Sequence, residues 1–247
     1  MKVLNDHKSI RKYSDKPVSD ELLNEIFFSG TRASTTGNMQ VYSIIVTRED
    51  SMKEKLSPCH FNQPMIKEAP VVLTFCADFN RFNKWCIQRN AAPGYDNFLS
   101  FVTAAIDALL VAQNICIAAE NKGLGICYIG TTTYMAEKII DILELPNGVV
   151  PVTTVTLGYP AENPPITDRL PMEAVVHYET YNDFSPADID RIYNALEDLP
   201  SSKQFVRENN LQTLAQVFTD VRYKKADNMA FSNKLLAVLD KQGFMRQ

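Results

Sequence analysis

The chain has 247 residues, 45% of them hydrophobic and 22% charged, with 25 Lys and Arg against 29 Asp and Glu for a net charge of −4. That length and composition allow one large folded domain or a domain with an appendage and exclude wholesale disorder. The acidic balance argues against nucleic acid as the main partner, so any cluster of cations has a local purpose.

The opening stretch lacks the apolar run of a secretory signal, and a cytoplasmic location is expected. The five cysteines, Cys59, Cys76, Cys86, Cys116 and Cys127, show no C-x-x-C spacing, which points to buried apolar roles rather than a disulfide framework. None of the three histidines, His7, His60 and His177, has a ligand partner at metal spacing, so no metal site is expected.

The first notable segment is "HKSIRKYSDKPVS", where His7, Lys8, Arg11 and Lys12 crowd around Ser9. A charge run of this kind is ordinarily a solvated surface. It also has the makings of an anion site, with charge-assisted donors each contributing roughly 1.5 to 3 kcal/mol when partly desolvated. In extended backbone His7, Ser9 and Arg11 would share one face and Lys8 and Lys12 the other.

Next, Ser19 followed by Asp20, Glu21 and apolar residues at helical spacing predicts a helix over about 20–31. "RASTTGNMQVYS" reads as a loop whose hydroxyls and amides, from Ser34, Thr35, Thr36, Asn38 and Gln40, suit a polar ligand, with Gly37 permitting close backbone approach. The β-rich runs from Val41 and from Pro70 predict strands. A long helix follows from Asn97 to Lys122, apolar nearly all round and closed by Gly123; Asp107 and its polar neighbours argue against a membrane span, and dimerisation is expected of such a surface.

"GLGICYIG" predicts a strand, "TTTYMAEKIIDILEL" a helix capped by a threonine, and "VVPVTTVTLGYP" another strand. The proline-rich span from Pro160 to Pro171 reads as an extended excursion, and the tail from about Ala187 as two or three helical pieces. These elements imply an α+β layered domain with a helical C-terminal extension. The glycines of "GLGICYIG" do not fit the dinucleotide fingerprint, and no P-loop, G-x-S-x-G or complete S-x-x-K set is present.

Taken together and in this order, "HKSIRKYSDKPVSDELL", "ASTTGNMQ", "AIDALLVAQNICIAAENKGLGICYIG" and "LGYPAENPPITDRLPMEAVVHYETY" resemble the FMN-dependent nitroreductase family, in its subgroup of oxygen-insensitive NADPH nitroreductases and NADPH-flavin oxidoreductases. The resemblance covers about residues 5 to 185. It implies an FMN-binding domain over 1–185 and a helical extension of the same fold over 186–247. The implied architecture is a mixed, mostly antiparallel central sheet flanked by helices, with the long helix at a homodimer interface that also holds FMN. By this resemblance His7, Lys8 and Ser9 lie near the phosphate and ribityl chain, Arg11 near the N1 and C2 carbonyl of the ring, and Gln63 at the pyrimidine edge. Ser34, Thr35, Thr36, Gly37, Gln40, Tyr128, Ile129, Gly130 and Thr131 match further FMN-lining positions, and Arg169 matches a phosphate-binding arginine. Asn38, Lys203 and Arg207 are candidates for contact with substrate or nucleotide.

The implied activity is ping-pong hydride transfer from NAD(P)H through flavin N5 to a small flat acceptor such as a nitroaromatic or quinone, with no catalytic side chain and no metal. The alternatives are a flavin reductase acting on free FMN and a non-catalytic flavin-binding or redox-sensing protein. Four positions depart from the family pattern: Lys8 stands where arginine is usual, Thr131 and Thr133 replace a glycine and an arginine, and Thr167 stands where a second cation is common.

Overall fold

The computed structural model describes residues 1–246. They form two compact units, one made of 1–165 with 231–246 and the other of 166–230.

In the first unit Ser19 accepts a hydrogen bond from the Leu22 amide and starts helix α1, Asp20–Gly30, which buries Leu23 and Ile26. Strand β1 spans Tyr42–Thr47, helix α2 Asp50–Leu56, strand β2 Val71–Asp78 and helix α3 Asn80–Gln88. The long helix α4, Phe98–Asn121, is capped by Asn97, whose side chain accepts from the Ser100 amide. Strand β3, Gly125–Ile129, helix α5, Ala136–Ile142, and strand β4, Val149–Gly158, complete the sheet and its cover.

The sheet has the order β1-β2-β4-β3, with every pairing antiparallel. Its mixed character comes from an isolated parallel bridge between Ser9 and Ile126, which lays the N-terminal segment beside β3. Every residue of β2 is buried, as a strand covered on both faces requires. Its register with β4 shifts between Phe75 and Cys76, where the partner is Pro151, a residue without an N–H to contribute to the ladder.

Leu73 and Phe75 of β2, Val155 and Leu157 of β4, and Ala108, Val111, Ala112 and Ile115 of α4 form one core cluster with α1. Burying each large apolar side chain of this set stabilises the fold by about 1.5–3 kcal/mol. A second cluster gathers Val150 of β4, Ala136 and Ile140 of α5, and Val238, Leu239 and Phe244 near the chain's end. Helix α4 is long and apolar enough to cross a membrane by length and composition, but one side of it is occupied by the sheet and α1. Its other side leaves Leu99, Ile106, Leu109 and Leu110 exposed.

The threonine cap expected for α5 does not form. Thr132 is buried and donates instead to the Ile129 carbonyl, while its hydroxyl also meets Thr154 at 3.0 Å; a 3-10 turn over Thr133–Met135 leads into the helix. The expected helix therefore shortens to Ala136–Ile142.

The second unit carries the excursion and most of the tail. Helix α6, Pro186–Asp198, opens with a capping box between Ser185 and Asp188, and helix α7, Pro200–Glu208, follows after one residue. A π-helical turn over Val217–Arg222 precedes helix α8, Lys225–Lys241, whose C-terminal part belongs to the first unit. The tail is more segmented than expected, because Pro186 and Pro200 each start a new helix.

Candidate functional site

The basic segment is fixed as a strap at the edge of β3. Ile10 donates its amide to the Ile126 carbonyl at 2.8 Å, Ser14 donates to Tyr159 at 2.9 Å, and Ala161 donates back to Lys12 at 2.9 Å. Gly125 makes this possible: a Cβ there would lie 2.6 Å from the Ile10 side chain. The amides of Arg11 and Lys12 both donate to Glu162 Oε1, at 2.6 and 3.1 Å. Two consecutive amides on one carboxylate oxygen hold the start of the excursion against the strap.

The strap's side chains divide. His7 Nδ1 sits 2.8 Å from Glu120 Oε1 at the end of α4, and Lys8 donates to the Asn163 side chain. Ser9 lies against Cys127, whose thiol is held above its ordinary pKa chiefly by burial. Arg11 and Lys12 are exposed, and among the described residues the Arg11 guanidinium has no hydrogen-bond or ion-pair partner. His7 and Ser9 therefore meet different neighbours along the strap, and the Arg11 guanidinium meets no such partner among the described residues.

The loop from Ser34 to Gln40 lies over α4. Asp107 is buried, and its Oδ1 accepts from the Thr36 amide at 2.9 Å and the Thr36 hydroxyl at 3.3 Å. Asn38 and Gln40 both adopt left-handed backbone, as does Gly37 (φ 55°), the one of the three to which that conformation comes without steric penalty. Gln40 folds back so that its Nε2 reaches Asn38 Oδ1 at 3.3 Å, while Arg81 donates to the Gln40 carbonyl. Thr35 is half-buried, and Ser34, Thr36, Gly37, Asn38 and Gln40 are exposed.

A third group comes from the segment before β2 and the end of β3. Gln63 is half-buried and donates to the His60 carbonyl at 3.1 Å. His60 is fully buried, its Nδ1 is 3.0 Å from Thr131 Oγ1, and its pKa is pushed down to about 4 by burial. Tyr128 is half-buried with its hydroxyl 3.4 Å from Gln113 Oε1, and burial raises its pKa. Ile129 is buried, and Gly130 is exposed, with nothing within 4 Å of where a Cβ would stand. The rings of Phe61, Tyr134 and Phe231 cluster in space, with Tyr134 and Phe231 stacked at 4.3 Å.

The remaining expected residues belong to the second unit. Arg169 donates to the carbonyls of Thr167 and Asp168 at 3.0 and 3.1 Å, Lys203 pairs with Asp198 at 2.9 Å, and Arg207 is exposed. Sequence reasoning missed the supporting roles of Asp107, Glu162, Arg81 and His60. The signal for Asp107 was present, as a carboxylate interrupting an apolar helix; nothing local marked the others.

The first unit is thus an α+β architecture, an antiparallel sheet covered by one long apolar helix with a cationic strap bridged in parallel to its edge strand β3. Residues 4–159 match the Nitroreductase family, and the chain belongs to that family. It is 36% identical over 182 residues to a Bacillus subtilis protein named FMN reductase (NADPH), covering 73% of each chain. It is 35% identical over 181 residues to the oxygen-insensitive NADPH nitroreductase of Salmonella typhimurium, covering 73% of this chain and 74% of that one. Among solved structures, one from Bacteroides fragilis superposes with a TM-score of 0.98 at 57% identity over 100% of both chains. The NfrA1 nitroreductase of B. subtilis does so with a TM-score of 0.86 at 30% identity over 98% of each.

Proposed function

We propose that the protein is a cytoplasmic, homodimeric oxidoreductase that uses FMN and NAD(P)H to reduce small flat acceptors such as nitroaromatics or quinones. The observation that carries this reading is the Arg11 guanidinium, unpaired among the described residues, on a strap docked beside β3, which ends at Ile129 just before Gly130 and Thr131. The names of the relatives, FMN reductase and NADPH nitroreductase, support the same cofactor and donor.

The donor set fits FMN. Lys8 offers a cation, and His7 and Ser9 further polar groups, for the phosphate and ribityl chain, Arg11 offers a cation for the N1 and C2 carbonyl side of the ring, Gln63 offers an amide for the ring's pyrimidine edge, and the open space beside Gly130 admits a planar group. Hydride acceptance and delivery at N5 is the chemistry FMN supplies when bound. Arg11 would hold a positive charge beside the N1 and C2 carbonyl of the bound ring, a charge that would favour the reduced state. Asp107 keeps the 34–40 loop in place through Thr36, and Gly37 lets that loop's backbone approach the ring. Ser34, Thr35, Thr36 and Gln40 complete that wall, Asn38 is a candidate for contact with the acceptor, and in the second unit Arg169 is the candidate by resemblance for a phosphate and Lys203 and Arg207 for substrate or nucleotide.

A second copy of the chain covers the exposed stripe of Leu99, Ile106, Leu109 and Leu110 on α4, with FMN at that interface. A second reading, reduction of free FMN, is favoured by Thr167, which leaves the excursion with Arg169 as its phosphate-binding cation, itself bonded to local carbonyls.

The test is an absorbance spectrum of the protein incubated with FMN and freed of excess, then anaerobic titration with NADH and with NADPH. Retained flavin that bleaches with a nucleotide is the expected result. A protein that stays colourless overturns the reading. Comparing turnover of a nitroaromatic with that of free FMN separates the two acceptors.

A further inference from the structure

The corner between Gln63 and Gly130 contains a pair that the proposed function leaves without a role. His60 closes a short 3-10 turn, Ser57–His60, and is fully buried. Its Nδ1 lies 3.0 Å from Thr131 Oγ1, and its Nε2 is buried without a partner among the described residues. Thr131 is half-buried, and its neighbour Gly130 faces open space.

The orphaned Nε2 decides the tautomer. A buried N–H without an acceptor is a rarer and more costly defect than an unfilled lone pair, so the single imidazole proton belongs on Nδ1. The apolar surroundings keep the ring neutral, since burial disfavours a second proton. His60 is therefore the donor and Thr131 Oγ1 the acceptor. The hydroxyl's own hydrogen then points away from His60, and no acceptor for it is found among the described residues.

We propose that His60 is a positioning residue that fixes the Thr131 hydroxyl as a hydrogen-bond donor to an acceptor atom on the edge of the bound flavin ring. The inference rests on the proposed placement of FMN beside Gly130 and Thr131. A free threonine rotor can either donate or accept; a donor behind it removes the second option. A fixed donor at the ring edge stabilises the electron density that arrives on reduction. The pair thus sets the flavin's redox equilibrium without touching the transferred hydride.

The experiment uses full-length protein loaded with FMN, reading the FMN dissociation constant by fluorescence and the midpoint potential by equilibration with a reference dye. Thr131→Val is expected to shift the two-electron reduction equilibrium toward the oxidised form by about tenfold, which is about 30 mV. His60→Phe is expected to shift it in the same direction by less, because it frees the hydroxyl without removing it, and the double variant to go no further than Thr131→Val alone. His60→Asn, whose amide can replace the Nδ1–H, and Thr131→Ser are expected to remain within about threefold of the parent.

An unchanged potential in Thr131→Val overturns the proposal whether or not His60→Phe folds. Additive effects, or a full loss in a His60→Asn protein with native circular dichroism, overturn it as well. Failure of the unmodified protein to bind FMN removes the flavin reading and this pairing together. A parent that binds FMN beside insensitive variants removes the pairing alone.

Discussion

The two walls of the proposed site are held in opposite ways. The strap from His7 to Ser14 is docked by its main chain, through Ile126, Tyr159 and Glu162, and leaves Arg11 and Lys12 in solvent. The His60–Thr131 corner is held by side chains, one of them fully buried. A main-chain dock leaves side chains available to a ligand and tolerant of exchange. A buried side-chain contact commits both partners, and ties the site to the stability of the fold.

The sharpest way to break this comparison is to dislodge the strap without altering its side chains. Gly125→Val puts a branched side chain where Ile10 already stands, with even the Cβ at 2.6 Å. Overpacking of this kind costs about 1–3 kcal/mol, and the upper end is expected because the obstacle is a buried side chain tied down at its own amide. Urea unfolding should show that loss, and FMN titration should show affinity falling by more than about tenfold. Normal FMN binding in a destabilised protein would mean that the strap's position is not what serves the cofactor.

The corner predicts a pH dependence that the strap does not. The folded pKa of His60 is about 4, against an unfolded value of about 6.5. The unfolded chain thus takes up a proton that the native state refuses. This stabilisation is fully present above about pH 6.5 and is lost as pH falls toward about 4, up to about 3 kcal/mol in all. Unfolding midpoints measured across that window should fall in the parent and fall less in His60→Asn. Equal slopes in the two proteins would show that His60 is not the group responsible.

Much of the fold was legible because its elements carry strong periodic signals. Ser19 caps α1 as its spacing implied, and the runs from Val41 and from Pro70 form strands, over Tyr42–Thr47 and Val71–Asp78, because their β-branched residues fill a covered sheet. Helices α2 and α3 escaped notice, being short and dominated by charged or polar residues whose packing is set by tertiary contacts. The threonine cap failed because Thr132 finds a better partner in Thr154, on a strand still to come in the sequence. The same limit hid the corner of the site: His60 and Thr131 are 71 residues apart, and each alone looks like an ordinary buried histidine and a turn threonine. The strap was visible as a charge cluster, but its dock against Ile126 depends on a glycine that only the sheet's geometry explains.

The smallest expected effect tests the other half of the comparison, that the strap's side chains act on a ligand rather than on the fold. Lys8 is half-buried and reaches the Asn163 side chain, an uncharged partner that leaves its cation available. Lys8→Arg keeps the charge and adds a planar fork suited to a phosphate. Unfolding stability should move by less than about 0.5 kcal/mol, as for most surface exchanges. FMN binding should tighten by about three- to tenfold, the scale of one improved charge-assisted contact. Because both side chains carry one charge, the salt dependence of binding should stay the same, while Lys8→Met should weaken binding and flatten that dependence. If Lys8→Met changes neither affinity nor its response to salt, Lys8 serves only to fasten Asn163, and the phosphate must be held by other residues of the strap.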